Sequence, residues 1–154
     1  MENSVSVELI APSSSNWEFF GKQIYYIEQS VFSEKSFNEE MMKSDINDPK
    51  ATLVLLKDKE SIVGFTYALP ETQGVARIVD TAITKEYQNK GLVSILMSCL
   101  EKELRNKGYE YVTRDVMIEN GYADKIMKNY SSKIVETKEF IGRYGKQRHF
   151  KIRI

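Results

Sequence analysis

The amino-acid sequence predicts one α+β domain of about seven strands and about four helices. Three observations carry that expectation. Short apolar stretches with a period of two stand near both ends and in the middle of the chain. Longer apolar stripes at helical spacing separate them. A glycine turn, Glu86-Tyr87-Gln88-Asn89-Lys90-Gly91-Leu92-Val93-Ser94, joins a strand pattern to a helical one. At 154 residues the chain suits a single domain, 1–154, and no repeat, linker or low-complexity tract divides it.

Val5, Val7 and Leu9 alternate with Ser4, Ser6 and Glu8, a first strand ended near Pro12. Ser15-Asn16-Trp17-Glu18 has the form of a capping box, in which the Ser15 hydroxyl and the Glu18 carboxylate satisfy each other's backbone N–H groups. Trp17, Phe20, Ile24, Ile27 and Val31 then recur on one helical face. A second box, Ser36-Phe37-Asn38-Glu39, opens a short helix through Met41 and Met42 that stops at Asp48-Pro49.

Strands are expected at 51–56 and 62–68, around a polar turn at 57–61, and at 75–83 after a loop at 70–74. The last of these is mostly apolar, as a central strand should be. Leu92, Ile95, Leu96, Cys99, Leu100 and Leu104 form the stripe of the next helix, which Lys107-Gly108 ends. Cys99 lies in that stripe and reads as a small core residue. A strand at 110–117, a helix at about 120–130 and a closing pair at 133–142 and 147–154 follow. In the last strand Phe150, Ile152 and Ile154 share one face, and His149, Lys151 and Arg153 the other. His149 therefore reads as a solvated or edge histidine.

Several function classes drop out. No apolar run reaches the roughly 18–20 residues that span a bilayer. Met1-Glu2-Asn3-Ser4 lacks the basic and apolar regions of a signal peptide, and a single cysteine forms no internal disulfide, so a cytoplasmic location is expected. One cysteine and one histidine do not make a zinc site, and no metal is expected. No basic stripe with interleaved aromatics points to nucleic acid. The net charge is zero but uneven, with 7 basic and 12 acidic residues in 1–79 against 15 and 10 in 80–154. That asymmetry is either scatter over solvated faces or a basic half for an anion and an acidic half for a cation.

The glycine turn is the most informative segment. Glycine lets the backbone turn with successive N–H groups aligned, and the following helix adds the positive end of its dipole. Such a junction cradles phosphate. The plainer alternative is an ordinary glycine-assisted turn into a helix.

With the element order strand, helix, helix, three strands, glycine turn with helix, strand, helix, two strands, the chain resembles the GNAT acyltransferase superfamily over nearly its whole length. The family's phosphate loop, Arg/Gln-x-x-Gly-x-Gly/Ala, is matched by Gln88-Asn89-Lys90-Gly91-Leu92-Val93. Val93 departs from the usual Gly or Ala, and a β-branched side chain there is expected to narrow or reshape the cradle. The resemblance implies a three-layer α/β/α fold around a mixed, mainly antiparallel sheet, with acetyl-CoA as cosubstrate. Its pyrophosphate would meet the N–H groups of Asn89, Lys90, Gly91, Leu92, Val93 and Ser94, and its pantetheine arm the backbone near Ala82, Ile83 and Thr84, between splayed fourth and fifth strands.

A second family signature, Leu-Glu-Val-Arg-x-x-Asn-x-x-Ala-x-x-x-Tyr, falls on residues 114–127. Asp115 takes the place of the Glu, Asn120 of the Asn and Ala123 of the Ala, while Met127 stands where the Tyr belongs. The resemblance makes Asp115 the candidate base, with Asp80 and Glu119 as alternatives; an ion pair with Arg114 or a lysine is the non-catalytic reading. Tyr130, one helical turn beyond Met127, is the candidate acid for the leaving thiolate, and Tyr122 a weaker one. A core aromatic is the plain reading of Tyr130.

The implied activity is acetyl transfer from acetyl-CoA directly to a primary amine of a small molecule or peptide. Glu28, Glu34, Glu39, Glu40 and Asp45 on the first two helices suit a cationic acceptor. The competing reading is a non-catalytic module that binds CoA or acyl-CoA, or has lost the ligand, which Val93 and Met127 favour. A dinucleotide fold lacks its Gly-x-Gly-x-x-Gly after the first strand. Relatives occur as monomers and dimers, and either is compatible with the sequence.

Overall fold

A computed structural model describes residues 4–154; Met1, Glu2 and Asn3 of the polar N-terminus lie outside the described residues. The elements follow the order β1 (Val5–Ile10), α1 (Asn16–Phe32), α2 (Glu39–Ile46), β2 (Thr52–Asp58), β3 (Ser61–Thr72), β4 (Val75–Ile83), α3 (Leu92–Asn106), β5 (Tyr111–Met117), α4 (Tyr122–Asn129), β6 (Ile134–Gly142) and β7 (Gly145–Arg153). The seven strands form one sheet in the order β1-β2-β3-β4-β5-β7-β6. Only β4 and β5 run parallel; every other neighbouring pair is antiparallel.

Helices cover both faces, which gives the three layers. On one side Ile24 and Ile27 of α1 and Met42 and Ile46 of α2 bury against Leu53, Leu55, Phe65 and Tyr67. On the other, Leu96, Leu100 and Leu104 of α3 and Ile126 of α4 bury against Val54, Val112 and Phe150. Each such leucine contributes about 1.5–3 kcal/mol, and together they pin α3 against β2, with β1 and β3 on either side.

The helix starts differ from the sequence reading. Ser15 makes no side-chain cap; instead Asn47, at the end of α2, accepts from the Trp17 N–H at 2.8 Å. The second cap is Asn38, whose Oδ1 accepts from Glu40 and Met41 at 2.9 and 3.2 Å. Ser36 is extended there because a 3-10 turn, Ser33–Lys35, has just ended. β3 runs through Pro70 to Thr72 where a loop was expected, and the proline sits beside a register shift, where its missing N–H is tolerated. Among the described residues no helix is long and apolar enough to cross a membrane, and no cluster of three or more metal-ligating side chains occurs.

Candidate active site

β4 and β5 pair over only three positions, Val75 with Tyr111, Ala76 with Val112 and Arg77 with Thr113. Beyond them the strands part, and β4 continues six residues further along β3 alone. Its pairing with β3 shifts register between Asp80 and Ile78, leaving Val79 as a bulged residue without a cross-strand partner. The Thr84 N–H donates to Val63 O at 2.9 Å. Antiparallel alternation then turns the backbone groups of Ala82 and Thr84 towards β3, and those of Ile83 and Thr81 into the gap. Of Ala82, Ile83 and Thr84, expected to line this gap, Ile83 presents its backbone there.

The glycine turn closes the mouth of the splay. Gly91 adopts φ 77 and ψ 9, and Asn89 is also left-handed at φ 61. A Cβ on Gly91 would meet nothing within 4 Å, so the glycine answers a backbone conformation and not crowding. The first turn of α3 has no side-chain cap and no acidic residue, which leaves its N–H groups and dipole unopposed. Gln88 Nε2 donates to Ile83 O at 2.8 Å, tying the loop to the end of β4. The Tyr87 hydroxyl and the Ser4 hydroxyl both donate to Asp58, and these bonds hold that carboxyl below its usual range. Asn89, Lys90, Gly91 and Ser94 are exposed, and Lys90 Nζ stands 5.7 Å from the Tyr87 ring centre. Leu92 is buried, and the Val93 side chain packs against the core beside it.

Asp115 faces the α1/α2 side of β5, directly opposite His149 on β7. His149 Nδ1 and Asp115 Oδ1 are 2.7 Å apart, and Arg77 approaches Oδ2 at 3.8 Å. The carboxylate's partners are thus His149 and Arg77, and not Arg114 or a lysine. His149 is no edge residue, because β7 lies between β5 and β6. Asp115 and His149 line an open groove of about 820 Å³ together with Glu136, Lys138 and Phe140 of β6.

The alternative bases are otherwise occupied. Glu119 is exposed and pairs with Lys35 at 2.9 Å. Asp80 is buried against Glu28, and burial, reinforced by its bond to that carboxyl, pushes its pKa well up.

Tyr130 caps α4 and lies on the opposite face of the sheet from Asp115, packed in the α3/α4 core. Its hydroxyl donates to Glu101 Oε2 at 3.3 Å. Burial first, then the Glu101 charge, raises its pKa, so it holds its proton. Glu101 stands nine positions after Leu92 on α3, about 13 Å from the helix start at 1.5 Å per residue. The four steps of β5 from Thr113 to Met117 span about 13 Å at 3.3 Å per residue. Tyr130 therefore meets α3 well down from its first turn, on the α3/α4 side of the sheet. Met127 points outward, 40% exposed. Tyr122 lies nearer the mouth, its ring 5.7 Å from Arg114. Asn120 uses its Oδ1 on the Tyr122 N–H at 3.0 Å, a local turn that starts α4.

A family model described as the acetyltransferase (GNAT) family matches residues 20–128. The chain belongs to the GNAT family. Solved GNAT-like structures align over almost its full length. Ard1 from Thermoplasma volcanium has a TM-score of 0.79 at 18% identity, covering 99% of both chains. The PaiA N-acetyltransferase of Thermoplasma acidophilum, in complex with coenzyme A, has 0.67 at 13%, covering 97% of this chain and 99% of its own. A GNAT acetyltransferase from Elizabethkingia anophelis with acetyl-CoA bound has 0.67 at 12%, covering 99% and 100%. No curated protein matches the sequence.

Three features of this GNAT chain escaped the sequence reading. The bulge at Val79 has no signature in the residues themselves. Arg114, where the family motif carries Leu, is buried with its Nε unpartnered and its Nη1 3.7 Å from Met97 Sδ. His149 required the strand order. Alternation revealed which face it occupies, but not that Asp115 stands across from it.

Proposed function

We propose that this protein transfers the acetyl group of acetyl-CoA directly to a primary amine of a small molecule or peptide. The observation that carries this is the β4–β5 splay with the Gly91 turn at its mouth. Beyond Arg77 the outer backbone edge of β4 has no strand partner among the described residues, and buried backbone groups demand one. An extended pantetheine arm with its amides suits that edge at the Ile83 N–H and the Thr81 carbonyl, since the Ile83 carbonyl already accepts from Gln88 and the Thr81 N–H donates to Asp80. The pyrophosphate then falls on the N–H groups of residues 89–94, beside Lys90, at the positive end of α3. Family membership supports the same ligand.

A thioester threaded through the splay is open to both helical layers. From the α1/α2 side, the Asp115–His149 pair takes the proton of the attacking amine. The bulged backbone at Val79 offers a fixed N–H near the point of strand separation, the kind of donor an oxyanion needs. From the α3/α4 side, Tyr130 protonates the departing thiolate. The acceptor enters over α1 and α2, where Glu34, Glu39 and Glu40 are exposed and suit a cationic amine. Glu28 is not part of that surface, being buried against Asp80.

The exposed Met127, in the place of the family's Tyr, favours one alternative: a module that binds acetyl-CoA without turnover. Two measurements separate the readings. Acetyl-CoA at millimolar concentration raises the melting temperature if it binds the native state. Thiol release across a panel of primary amines then distinguishes an enzyme from a binder. No stabilisation by acetyl-CoA sinks both; stabilisation without thiol release leaves the binder.

A further inference from the structure

The Asp115 carboxylate is engaged at both ends. Oδ1 meets His149 Nδ1 at 2.7 Å and Oδ2 faces Arg77 at 3.8 Å. The imidazole, by contrast, is engaged at one end only. Its Nε2 has no partner among the described residues, and the ring is partly exposed along the groove between β5, β7 and β6. A carboxylate bound to Nδ1 fixes the tautomer that carries hydrogen there, and so leaves the Nε2 lone pair free. Cross-strand register, not a loop, holds the pair together: Asp115 lies opposite His149, and His149 opposite Lys138.

We propose that His149 Nε2 is the atom that accepts the amine proton and that Asp115 is its positioning residue. This rests on the acyltransferase reading above. As the amine nitrogen bonds to the thioester carbonyl carbon, its N–H bond breaks and the proton moves to Nε2, directly or through one water in the groove. The imidazolium that forms lies against the Asp115 carboxylate. The C–S bond breaks with its electron pair on sulfur, and the thiolate takes a proton from Tyr130. The imidazolium then returns its extra proton to water in the groove, and Tyr130 is reprotonated from solvent.

The test compares wild type with His149→Asn and His149→Ala, using acetyl-CoA and the best amine of a primary-amine panel. Asparagine places an amide donor where Nδ1 stands, so it keeps the contact with Asp115 but accepts no proton. Both variants retain the thermal shift caused by acetyl-CoA, which shows them folded and loaded. Their kcat falls about 100-fold while KM for the amine changes little, and added imidazole restores kcat of His149→Ala at least tenfold. A His149→Asn enzyme with wild-type kcat overturns the proposal, as does a loss confined to KM; the acyltransferase reading survives either result. If wild type binds acetyl-CoA but acetylates no amine, both fall.

Discussion

Glu28 of α1 and Asp80 of β4 meet inside the protein, 1% and 8% exposed. Glu28 Oε2 accepts from the Phe37 N–H at 2.8 Å, and Asp80 Oδ1 from the Thr81 N–H at 2.9 Å. The other two oxygens, Glu28 Oε1 and Asp80 Oδ2, have no donor among the described residues. As two carboxylates they would repel; a proton held between them satisfies both. Burial, the largest cause, and then Glu28 raise the Asp80 pKa from 3.8. A raised folded pKa means that the folded chain binds this proton more tightly than the unfolded chain. The stabilisation is full below pH 3.8 and is lost progressively as pH rises from there through the raised value. Asp80→Asn keeps the Thr81 contact and gives Glu28 a permanent donor. It should stabilise the protein at neutral pH by about 1–2 kcal/mol, a Tm rise of roughly 2–8 °C. Melting curves from pH 4 to 8 check this, and the gain should shrink towards pH 4.

Tyr130→Phe removes a hydroxyl whose only partner among the described residues is Glu101. The ring stays packed, so stability should change by less than about 1 kcal/mol. Acetyl-CoA affinity should stay within twofold, because the phosphate end lies at the far end of α3. Turnover should fall about tenfold or more if the hydroxyl protonates the thiolate. Steady-state kinetics beside acetyl-CoA titration give both numbers, and full activity removes Tyr130 from the mechanism.

Val93→Ala separates what the motif suggests from what the packing shows. The motif comparison expects a narrowed cradle, widened by alanine. In the structure the side chain packs against the α3 core. Alanine should therefore cost about 1 kcal/mol of stability through lost burial and leave acetyl-CoA affinity within about twofold. Calorimetric titration of the variant decides, and a tenfold gain in affinity would return Val93 to the cradle.

How much of this was legible in the sequence depended on the range of the signal. The span of β4 and the start of α3 were readable because an apolar run, a glycine and a helical stripe abut within twenty residues. The left-handed glycine turn was legible for the same reason. Both helix caps were misread at short range. Asn47, thirty residues beyond the Trp17 N–H it accepts, displaced Ser15, and Asn38 displaced Ser36 once a 3-10 turn had set the approach. The Asp115–His149 pair and the Glu28–Asp80 pair join residues 34 and 52 positions apart, through strand order and layer packing that a local pattern does not encode. The bulge at Val79 belongs to the register between two strands, and so to neither strand alone.

Gly91 offers the most direct test of the central claim, that the turn beneath β4 holds the pyrophosphate of acetyl-CoA. Aspartate tolerates the left-handed conformation better than most residues, and a Cβ there meets nothing within 4 Å. Gly91→Asp should therefore fold with a loss of only about 1 kcal/mol, while setting a carboxylate against the phosphates. The measurement is the acetyl-CoA-induced rise in melting temperature, wild type beside Gly91→Asp. The account predicts a clear rise in wild type and a shift abolished, or affinity weakened at least tenfold, in the variant. An equal rise in both proteins would contradict it.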